Sequence, residues 1–313
     1  MFTGIDIGGS TIKCGLFNLE GDCLETTRIA LDKTKQAEEG LEKVIATIEQ
    51  WKKQYDNYQL QSVGIGIPGI IDQTKGCVID SGNLKNWIGF PVRQFVSERL
   101  GVDVCFDNDA NMAAYGEYLA GAGQGGNSMA LIILGTGVGS AFVIDGRIFE
   151  MNGFSPELGH TIVDYNGYMC DCGRNGCLET FISINGLKKT LSTILKEAKA
   201  SEETEKRYKQ YSPEELSELA AQSDAIAIKT YKLAGNVLGI AIANLLNLMR
   251  FDRIVIAGGI SNAWEGFYCA INDTVAHYTF DYHADRISIS KASLGDKAGM
   301  IGAGLAARKK YIP

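Results

Sequence analysis

Apolar and polar positions along the chain predict a strand, a glycine turn and a hairpin that occur twice. The first copy consists of the strand FTGIDI, the turn GGST and the hairpin IKCGLFNLEGDCLETTRI, which turns near Glu20 and Gly21. The second copy consists of the strand SMALIIL, the turn GTGVG and the hairpin SAFVIDGRIFE, where Asp145 and Gly146 form a favoured type I′ pair. This repetition predicts a duplicated α/β fold.

Other apolar patterns predict the elements that surround the two copies. A helix is expected from Leu41 to Trp51, and Ser212, Pro213 and Glu215 mark another helix start, with the serine as N-cap. The remaining predictions are a buried strand in QSVGIGIPG, a helix in FPVRQFVSERLG ended by Gly101, a strand running into a helix in VDVCFDNDANMAAYGEYLAG, a long helix from Ala225 to Leu248 and a buried strand in DRIVIAGGIS.

The length of 313 residues favours two domains, although no low-complexity linker divides the chain. We place the boundary near Gly121 to Gly126 and predict an N-terminal lobe of residues 1–122 and a C-terminal lobe of residues 123–295. The last helix, residues 296–313, is expected to pack back on the N-terminal lobe. The Glu- and Lys-rich segment from Lys196 to Gln210 is interpreted as a solvated helix or loop.

Charge and cysteine usage exclude several classes of partner. A net charge of −7 without a dense Lys/Arg stripe argues against nucleic acid, which attracts clustered positive charge. No signal peptide and no run of about 18 apolar residues is present, so we expect no membrane association and a cytoplasmic protein. Among the eight cysteines, five are scattered singly, which fits a reducing compartment better than a disulfide framework.

The glycine turns predict a nucleotide site. A strand followed by glycine-rich backbone presents N–H groups to an anion, and small hydroxyls add donors. One such turn is also explained as a simple tight turn. Because three turns follow buried strands, we expect them to converge on one nucleotide in a cleft between two related lobes, with Asp6 orienting Mg²⁺ through water. The turns are Gly8-Gly9-Ser10-Thr11, Gly135-Thr136-Gly137-Val138-Gly139 and Gly258-Gly259.

The segment DNDAN lies at a predicted strand-to-helix junction, where a carboxylate can be held at a cleft edge. Phosphoryl transfer to an alcohol needs a base within hydrogen-bond reach of the hydroxyl, and Asp109 is the candidate. Helix capping is the alternative interpretation, and it suits Asp107 or Asn111.

A cluster of cysteines and one histidine predicts a closed tetrahedral zinc site formed by His160, Cys170, Cys172 and Cys177. The alternative is a core histidine beside unligated thiols, and a catalytic zinc is disfavoured. The metal would fix a loop that carries Glu157 on one side and Glu179 on the other, and rigid carboxylates accept from vicinal hydroxyls of a sugar or polyol. One ring nitrogen of His160 would bind zinc while the other donates to the substrate.

The motifs together resemble the ROK family of sugar kinases, which is related to bacterial glucokinases. The matching segments follow the family order along almost the whole chain: DIGGST, GIPG, NDAN, GTGVG, PELGH, CDCGRNGCLE and AGG. This resemblance implies a two-lobed hexokinase/actin-like (ribonuclease H-like) α/β fold with a zinc knuckle. It also implies ATP with catalytic Mg²⁺, a structural Zn²⁺, and a homodimer or homotetramer.

Residue roles follow from the resemblance position by position, and Asp109 resembles the catalytic base. The residues expected at the sugar are Gly69, Asn83, Asn108, Asp109, Glu157, His160 and Glu179. The residues expected at the nucleotide, from the turns and the resemblance together, are Asp6, Gly8, Gly9, Ser10, Thr11, Lys13, Gly135, Thr136, Gly137, Gly139, Gly258 and Gly259.

The function implied is ATP-dependent phosphorylation of a hexose at O6. Glucose, giving glucose 6-phosphate, is favoured because NDAN and SGNLKNW look like glucokinase-type segments. A kinase for N-acetylmannosamine, N-acetylglucosamine, fructose or a β-glucoside remains open, because Ser155 and Pro156 replace the small, glycine-rich residues usual before Glu157. Ser10 in place of the commoner threonine retains the hydroxyl.

Two other classes share part of the pattern. The family includes transcriptional repressors, so a non-enzymatic sugar sensor is the second hypothesis. Those repressors add a helix-turn-helix before the first glycine turn, and Asp6 is the sixth residue of the sequence, so we expect an enzyme. A filament-forming or chaperone ATPase of the actin type shares the glycine turns but does not need the zinc-held glutamates.

Overall fold

In a computed structural model, which describes residues 1–57, 59–151, 155–280 and 287–311, the chain is an α/β protein. The strands are β1 (Phe2–Ile7), β2 (Thr11–Phe17), β3 (Cys23–Ala30), β4 (Ser62–Ile67), β5 (Ile70–Asp72), β6 (Cys77–Asp80), β7 (Asp103–Asn108), β8 (Ser128–Leu134), β9 (Val138–Ile144), β10 (Arg147–Ile148), β11 (Arg253–Ala257) and β12 (Ser288–Lys291). The helices are α1 (Ala37–Gln54), α2 (Val92–Leu100), α3 (Asp109–Ala120), α4 (Glu179–Ile182), α5 (Ile184–Glu197), α6 (Glu202–Tyr208), α7 (Pro213–Ala221), α8 (Ala225–Leu248), α9 (Trp264–Tyr278) and α10 (Ala298–Tyr311).

The first sheet has five strands in the order β3-β2-β1-β4-β7. The hairpin strands β2 and β3 are antiparallel, while β1, β4 and β7 run parallel to one another. Every residue of β4 is buried, which confirms the strand predicted in QSVGIGIPG. Because the carboxyl ends of parallel strands meet at one edge of a sheet, the first glycine turn, Gly69 and Asn108 all follow strands at the same edge.

The second sheet repeats this arrangement, with the order β10-β9-β8-β11-β12. The hairpin strands β9 and β10 are antiparallel and lie at one side of the central strand β8. On its other side β8 pairs parallel with β11, and β11 pairs parallel with β12. Asp145 (φ 49°) and Gly146 (φ 71°) both have positive φ, as a type I′ turn requires. The predicted duplication of a sheet-plus-helices core is therefore confirmed.

The chain divides into two compact units. The first unit comprises Met1–Gly125, Ala141–Ser155 and Ser293–Pro313, and the second comprises Gly126–Ser140 and Pro156–Ala292. The main division lies in the predicted stretch from Gly121 to Gly126. Ala141–Ser155 and residues 293–295, which the sequence analysis placed in the C-terminal lobe, group with the first unit.

Local sequence signals determine where several helices begin and end. Gly101 is left-handed (φ 68°) and ends α2, while Ser212 and Glu215 form the expected capping box at the start of α7. Residues 202–208 of the Glu- and Lys-rich segment form α6, with only Tyr208 buried. By length and composition α8 could cross a membrane, yet 56% of its most apolar window is buried inside the protein, as in a core helix.

The last helix, α10, packs against α3, β1 and β4 within the first unit, as predicted. The helix approaches so closely that a Cβ on Gly64 would meet the backbone of Ala303, and one on Gly4 would meet the backbone of Met300. Glycine at these two positions therefore allows the helix to lie directly on the strands. Residues 312 and 313 of the predicted segment lie outside the described residues.

Candidate active site

The candidate base lies at the junction between β7 and α3. Asn108 caps α3, and its side-chain oxygen accepts from the backbone N–H of Ala110 at 2.8 Å and of Asn111 at 3.4 Å. The Asn108 side-chain amide donates to the Gly69 carbonyl at 2.9 Å, so the structure brings these two predicted sugar ligands together. Asp109 is the first residue of α3.

Asp109 has the electrostatics of a base that works near neutral pH. Burial, and secondly the negative charge of Asp6, raise the pKa of its carboxyl to about 6. A carboxylate with this pKa is ionised at pH 7 and is a stronger proton acceptor than an exposed aspartate. Asp6 lies just before the first glycine turn, so its effect on the pKa of Asp109 shows that the candidate base is close to that turn.

The first glycine turn is flanked by an ion pair between opposite residues of β1 and β2. The Lys13 ammonium lies 3.2 Å from Asp6 Oδ2 and donates to the carbonyl of Asp296 at 2.6 Å. Burial raises the pKa of Asp6, although Lys13 partly opposes that rise. Asn83 lies beside Gly9, 3.9 Å from the position that a Cβ would take there. The first unit thus assembles Asp6, Lys13 and Asn83 around this turn.

Two glycine N–H groups close their own turns. Gly8 N donates to the Thr11 carbonyl and Gly135 N to the Gly137 carbonyl, both at 2.9 Å. The donors available to a phosphate must therefore come from the other residues of each turn, which include Gly9, Ser10, Thr11, Thr136, Gly137 and Gly139.

In the second unit, two carboxylates lie beside the second glycine turn. Glu179 begins α4 and its Oε2 accepts from the Val138 N–H at 2.9 Å. The two chain neighbours of Glu157 are both hydrogen-bonded to the Ser140 hydroxyl. This hydroxyl donates to the Pro156 carbonyl at 2.7 Å and accepts from Leu158 N at 3.0 Å. The Glu157 backbone is therefore fixed to β9 on both sides.

The third glycine turn lies beside the second within the same unit. Gly258 has φ 89°, and a Cβ there would meet the carbonyl of Leu134, the last residue of β8. The Ser261 hydroxyl donates to the Gly258 carbonyl at 2.7 Å and holds the turn. Two of the three predicted phosphate turns are thus neighbours, as expected from parallel strands β8 and β11.

The predicted metal ligands form a compact cluster. The ligand atoms of His160, Cys170, Cys172 and Cys177 all lie within 4.8 Å of one another. Cys172 and Cys177 sulfurs are 3.5 Å apart, and Cys170 Sγ is 3.7 Å from His160 Nδ1. Ligands on tetrahedral zinc, with Zn–S bonds of about 2.3 Å, are separated by roughly 3.8 Å.

The donor set and spacing therefore fit zinc. Hydrogen bonds from Arg174 lower the pKa of the Cys172 thiol to about 6, which favours the thiolate that a metal needs. Nδ1 is the ring nitrogen of His160 that approaches the Cys170 sulfur.

Sequence reasoning missed two carboxyl groups, those of Glu117 and Glu150. Asp107 and Asn111, for which helix capping was the alternative interpretation, belong to a partly buried network with Glu150 and Ser155. Glu117 is fully buried in α3 and accepts from backbone N–H groups of Ala122 and Leu294 at 2.9 and 2.8 Å. The sequence could have indicated Glu117, because it is a glutamate on the buried face of a predicted helix. No sequence pattern indicated that Glu150 would join the network.

Comparison with known proteins identifies relatives along the whole chain. The model of the family described as "ROK family" matches residues 2–310. A glucokinase from Halalkalibacterium halodurans is 33% identical over 314 residues, covering 97% of this chain and 93% of the relative. A xylose repressor from Bacillus spizizenii is 28% identical over 307 residues, covering 96% of this chain and 74% of the repressor.

A solved structure confirms the fold. The ROK family glucokinase from Streptomyces griseus, in complex with glucose and AMPPNP, matches with a TM-score of 0.74 and 28% identity, over 98% of this chain and 99% of that one. The two mixed sheets and their helices are therefore those of the hexokinase/actin-like fold. The relatives include both kinases and repressors.

Proposed function

Because this chain belongs to the ROK family, we propose that it is an ATP-dependent sugar kinase that phosphorylates a hexose. The observation that carries the proposal is Asp109, a half-buried carboxyl group with a pKa raised to about 6 at the carboxyl edge of the first sheet. A repressor needs to bind a sugar but has no use for a tuned base. The glucokinases among the relatives support the same reaction.

In the proposed reaction the chain binds both substrates and moves one proton. Gly69, Asn83, Asn108, Glu157, His160 and Glu179 hold the sugar, and Asp109 accepts the proton of the O6 hydroxyl as that oxygen attacks the γ-phosphorus of ATP. The glycine turns, with Lys13, hold the phosphates. Mg²⁺ supplies charge neutralisation on the phosphates when bound, and Asp6 is the carboxylate that would orient it.

The four Cys/His side chains would hold zinc and fix the loop between Glu157 and Glu179. Zinc has a structural role in this proposal, because four protein ligands leave no position for a reacting water. His160 Nε2 would then donate to a sugar hydroxyl while Nδ1 binds the metal.

Glucose is the proposed substrate, with glucose 6-phosphate as the product. The support comes from the relatives named glucokinase and from the segments NDAN and SGNLKNW. Kinases for N-acetylmannosamine, N-acetylglucosamine or fructose use the same kinds of hydroxyl ligand and are the alternatives. A cytoplasmic homodimer or homotetramer completes the proposal.

A sugar sensor is the second candidate, and the xylose repressors among the relatives favour it. Such a protein would bind a sugar in the second unit without transferring a phosphoryl group. Catalytic turnover therefore distinguishes the kinase from the sensor.

The test is ADP release from Mg-ATP across a panel of hexoses and N-acetylhexosamines, with wild type and Asp109→Asn. We expect turnover with one or two sugars, a fall of roughly 10²- to 10⁴-fold in the variant, and retained sugar binding by thermal shift. Asp103→Asn, an exposed aspartate at the other end of β7, is the control and should match wild type. Wild-type kcat/KM should fall about tenfold per pH unit below pH 6, because the base must be ionised.

Sugar binding without turnover across the whole panel would support the sensor instead. Near-normal turnover by Asp109→Asn would show that another group is the base.

A further inference from the structure

A buried polar network surrounds the strand-to-helix junction, Asp107 to Asn111, and the roles proposed above do not use it. Asn111 is fully buried. Its side-chain N–H groups donate to Asp107 Oδ1 at 2.9 Å and to Glu150 Oε1 at 3.0 Å, and its oxygen accepts from the Ser155 hydroxyl at 3.2 Å. The amide orientation follows from chemistry, because the carboxyl oxygens need donors and the hydroxyl supplies one.

These bonds form a closed ring around the candidate base. Asp107 and Asn111 lie two residues before and two residues after Asp109, and their side chains are bonded to each other. Asp107 Oδ1 also accepts from the Asn108 N–H at 2.6 Å, so the backbone inside the ring is fixed as well. Movement of the backbone between Asp107 and Asn111 would strain the buried bond between their side chains, and loss of a buried hydrogen bond is costly when no water replaces it.

We propose that Asn111 is a positioning residue for Asp109: together with the buried carboxyl pair of Asp107 and Glu150, it holds the candidate base and its neighbour Asn108 in their working orientation. This inference rests on the proposed function for its catalytic consequence, although the network itself is independent of the substrate.

Asp107 and Glu150 contribute a second property, because Asp107 Oδ1 and Glu150 Oε1 accept from the same Asn111 nitrogen and the two carboxyl groups therefore lie close together. Two ionised carboxylates in this position would repel. Burial, and then the charge of Glu150, raise the pKa of Asp107 to about 7, while the hydrogen bond from Asn111 opposes the rise. The Asp107 proton is therefore lost near neutral pH, and above that pH the two carboxylates repel.

The charged groups on the surrounding elements do not compensate this pair in the described part of the chain. Asp109 on α3 and Asp72 on β5 add negative charge. The cations on these elements have other partners or face solvent. On α2, Arg93 donates to Gln73 and Arg99 donates to Glu42. Lys309 of α10 donates to the Gly146 carbonyl, and Arg147 of β10 is exposed. Burial and the negative charge of Glu150 are therefore the effects that raise the pKa of Asp107.

The plainer interpretation is that the network only stabilises the fold. Positioning and stabilisation differ in what they predict for the reaction. A stabilising network would change the melting temperature and leave kcat unchanged well below it. A positioning network would lower kcat more than it changes the KM for sugar, because the base is misplaced while the sugar ligands remain.

The test compares wild type with Glu150→Ala, Glu150→Gln and Asn111→Leu, with Val96→Ala as a control that destabilises the core of the same unit away from the junction. Kinetics of sugar phosphorylation and melting temperatures are measured from pH 5.5 to 8.5. We expect Glu150→Ala to lower kcat about tenfold or more with sugar KM within about threefold. Glu150→Gln keeps an acceptor for Asn111 and a donor for Asp107, so kcat should return to within about threefold of wild type.

The melting curves do not depend on turnover. A raised pKa means that the folded state binds the proton more tightly, so wild-type stability should decrease as the pH rises to about 7 and should level off above it. Glu150→Gln removes the negative charge beside Asp107, so this decrease should be smaller between about pH 5.5 and 7. Asp109 titrates in both proteins, so its contribution to the pH dependence of melting cancels when the two are compared.

Equal pH dependence of melting in wild type and Glu150→Gln would overturn the effect of the Glu150 charge on Asp107. Unchanged kcat in Glu150→Ala, or an equal fall in Val96→Ala, would overturn the positioning role even if Asn111→Leu does not fold. If no sugar is phosphorylated, the proposed function fails, while the melting comparison still decides whether the carboxyl pair exists.

Discussion

The two five-stranded sheets share one strand order but differ in what flanks their glycine turns. In the first sheet, Asp6 precedes the last residue of β1, and Lys13 is the third residue of β2. At the same offsets in the second sheet stand Ile133 and Ser140. The first turn thus has a partly buried ion pair, whereas the second has neutral side chains and receives the Glu179 carboxylate on Val138 N.

This difference shows how a duplicated scaffold can separate two tasks. The fold requires only the strands, the tight turns and the apolar faces, and both copies retain these. Asp6 and Asp109, two half-buried carboxyls with a raised pKa, are in the first unit. The Cys/His cluster and the two glutamates suited to binding hydroxyls are in the second. Substitutions at equivalent positions should therefore have unequal effects.

The largest effect is expected at Lys13. Lys13→Met keeps the length of the side chain but removes the charge next to Asp6, so the pKa of Asp6 should rise further and the phosphate site should lose a cation. We expect turnover to fall by about 10²-fold or more, measured by ADP release at saturating sugar. A fall below tenfold would mean that the ion pair serves the fold instead of the reaction.

Much of this fold could be predicted because its signals are local. The hairpin turn at Asp145-Gly146, the cap at Ser212 and the apolar run of β4 each depend on a few neighbouring residues. The grouping of His160 with the three cysteines was also predictable, since few other sites share this spacing. Their ligand atoms lie within 4.8 Å of one another, which is compatible with zinc.

The features that escaped prediction depend on contacts between distant segments. Glu150 is 39 residues from Asn111 in the chain, and no spacing rule relates a single glutamate to a helix that far away. The grouping of Ala141–Ser155 with the first unit has the same origin, because β10 packs against α3. The sequence indicated the strand-to-helix junction from Asp107 to Asn111 but not the distant side chains bonded to it.

A smaller effect, confined to the second unit, is expected from the metal cluster. Removing zinc with a chelator, or Cys172→Ser, should loosen the loop between Glu157 and Glu179 and weaken sugar binding about tenfold, the equivalent of one lost hydrogen bond. Calorimetric titration of sugar and of a nonhydrolysable ATP analogue measures both affinities, and nucleotide affinity should change less.

Cys23→Ser is the matched control, because Cys23 is an exposed cysteine of the first unit. It should behave as wild type before and after chelation. Unchanged sugar affinity in folded, metal-free protein would mean that the metal does not order the sugar ligands.

The smallest effect is expected at Ser140, the counterpart of Lys13. Ser140→Ala removes the hydroxyl that bonds Pro156 O and Leu158 N on either side of Glu157, and it leaves two backbone groups without this partner. We expect a loss of about 1–2 kcal/mol in the free energy of unfolding and a rise of about threefold in sugar KM, with kcat little changed. Chemical denaturation and steady-state kinetics measure the two quantities.

Ser128→Ala provides the control for Ser140, since its hydroxyl also bonds two backbone groups of the second unit, Arg250 O and Asp252 N, but at the far end of β8. Its stability loss should be similar while KM stays at the wild-type value. Equal KM values for the two variants would show that Ser140 acts only on stability. A kcat loss as large as that of Lys13→Met would break the comparison itself, because the neutral turn would then be as important to the reaction as the charged one.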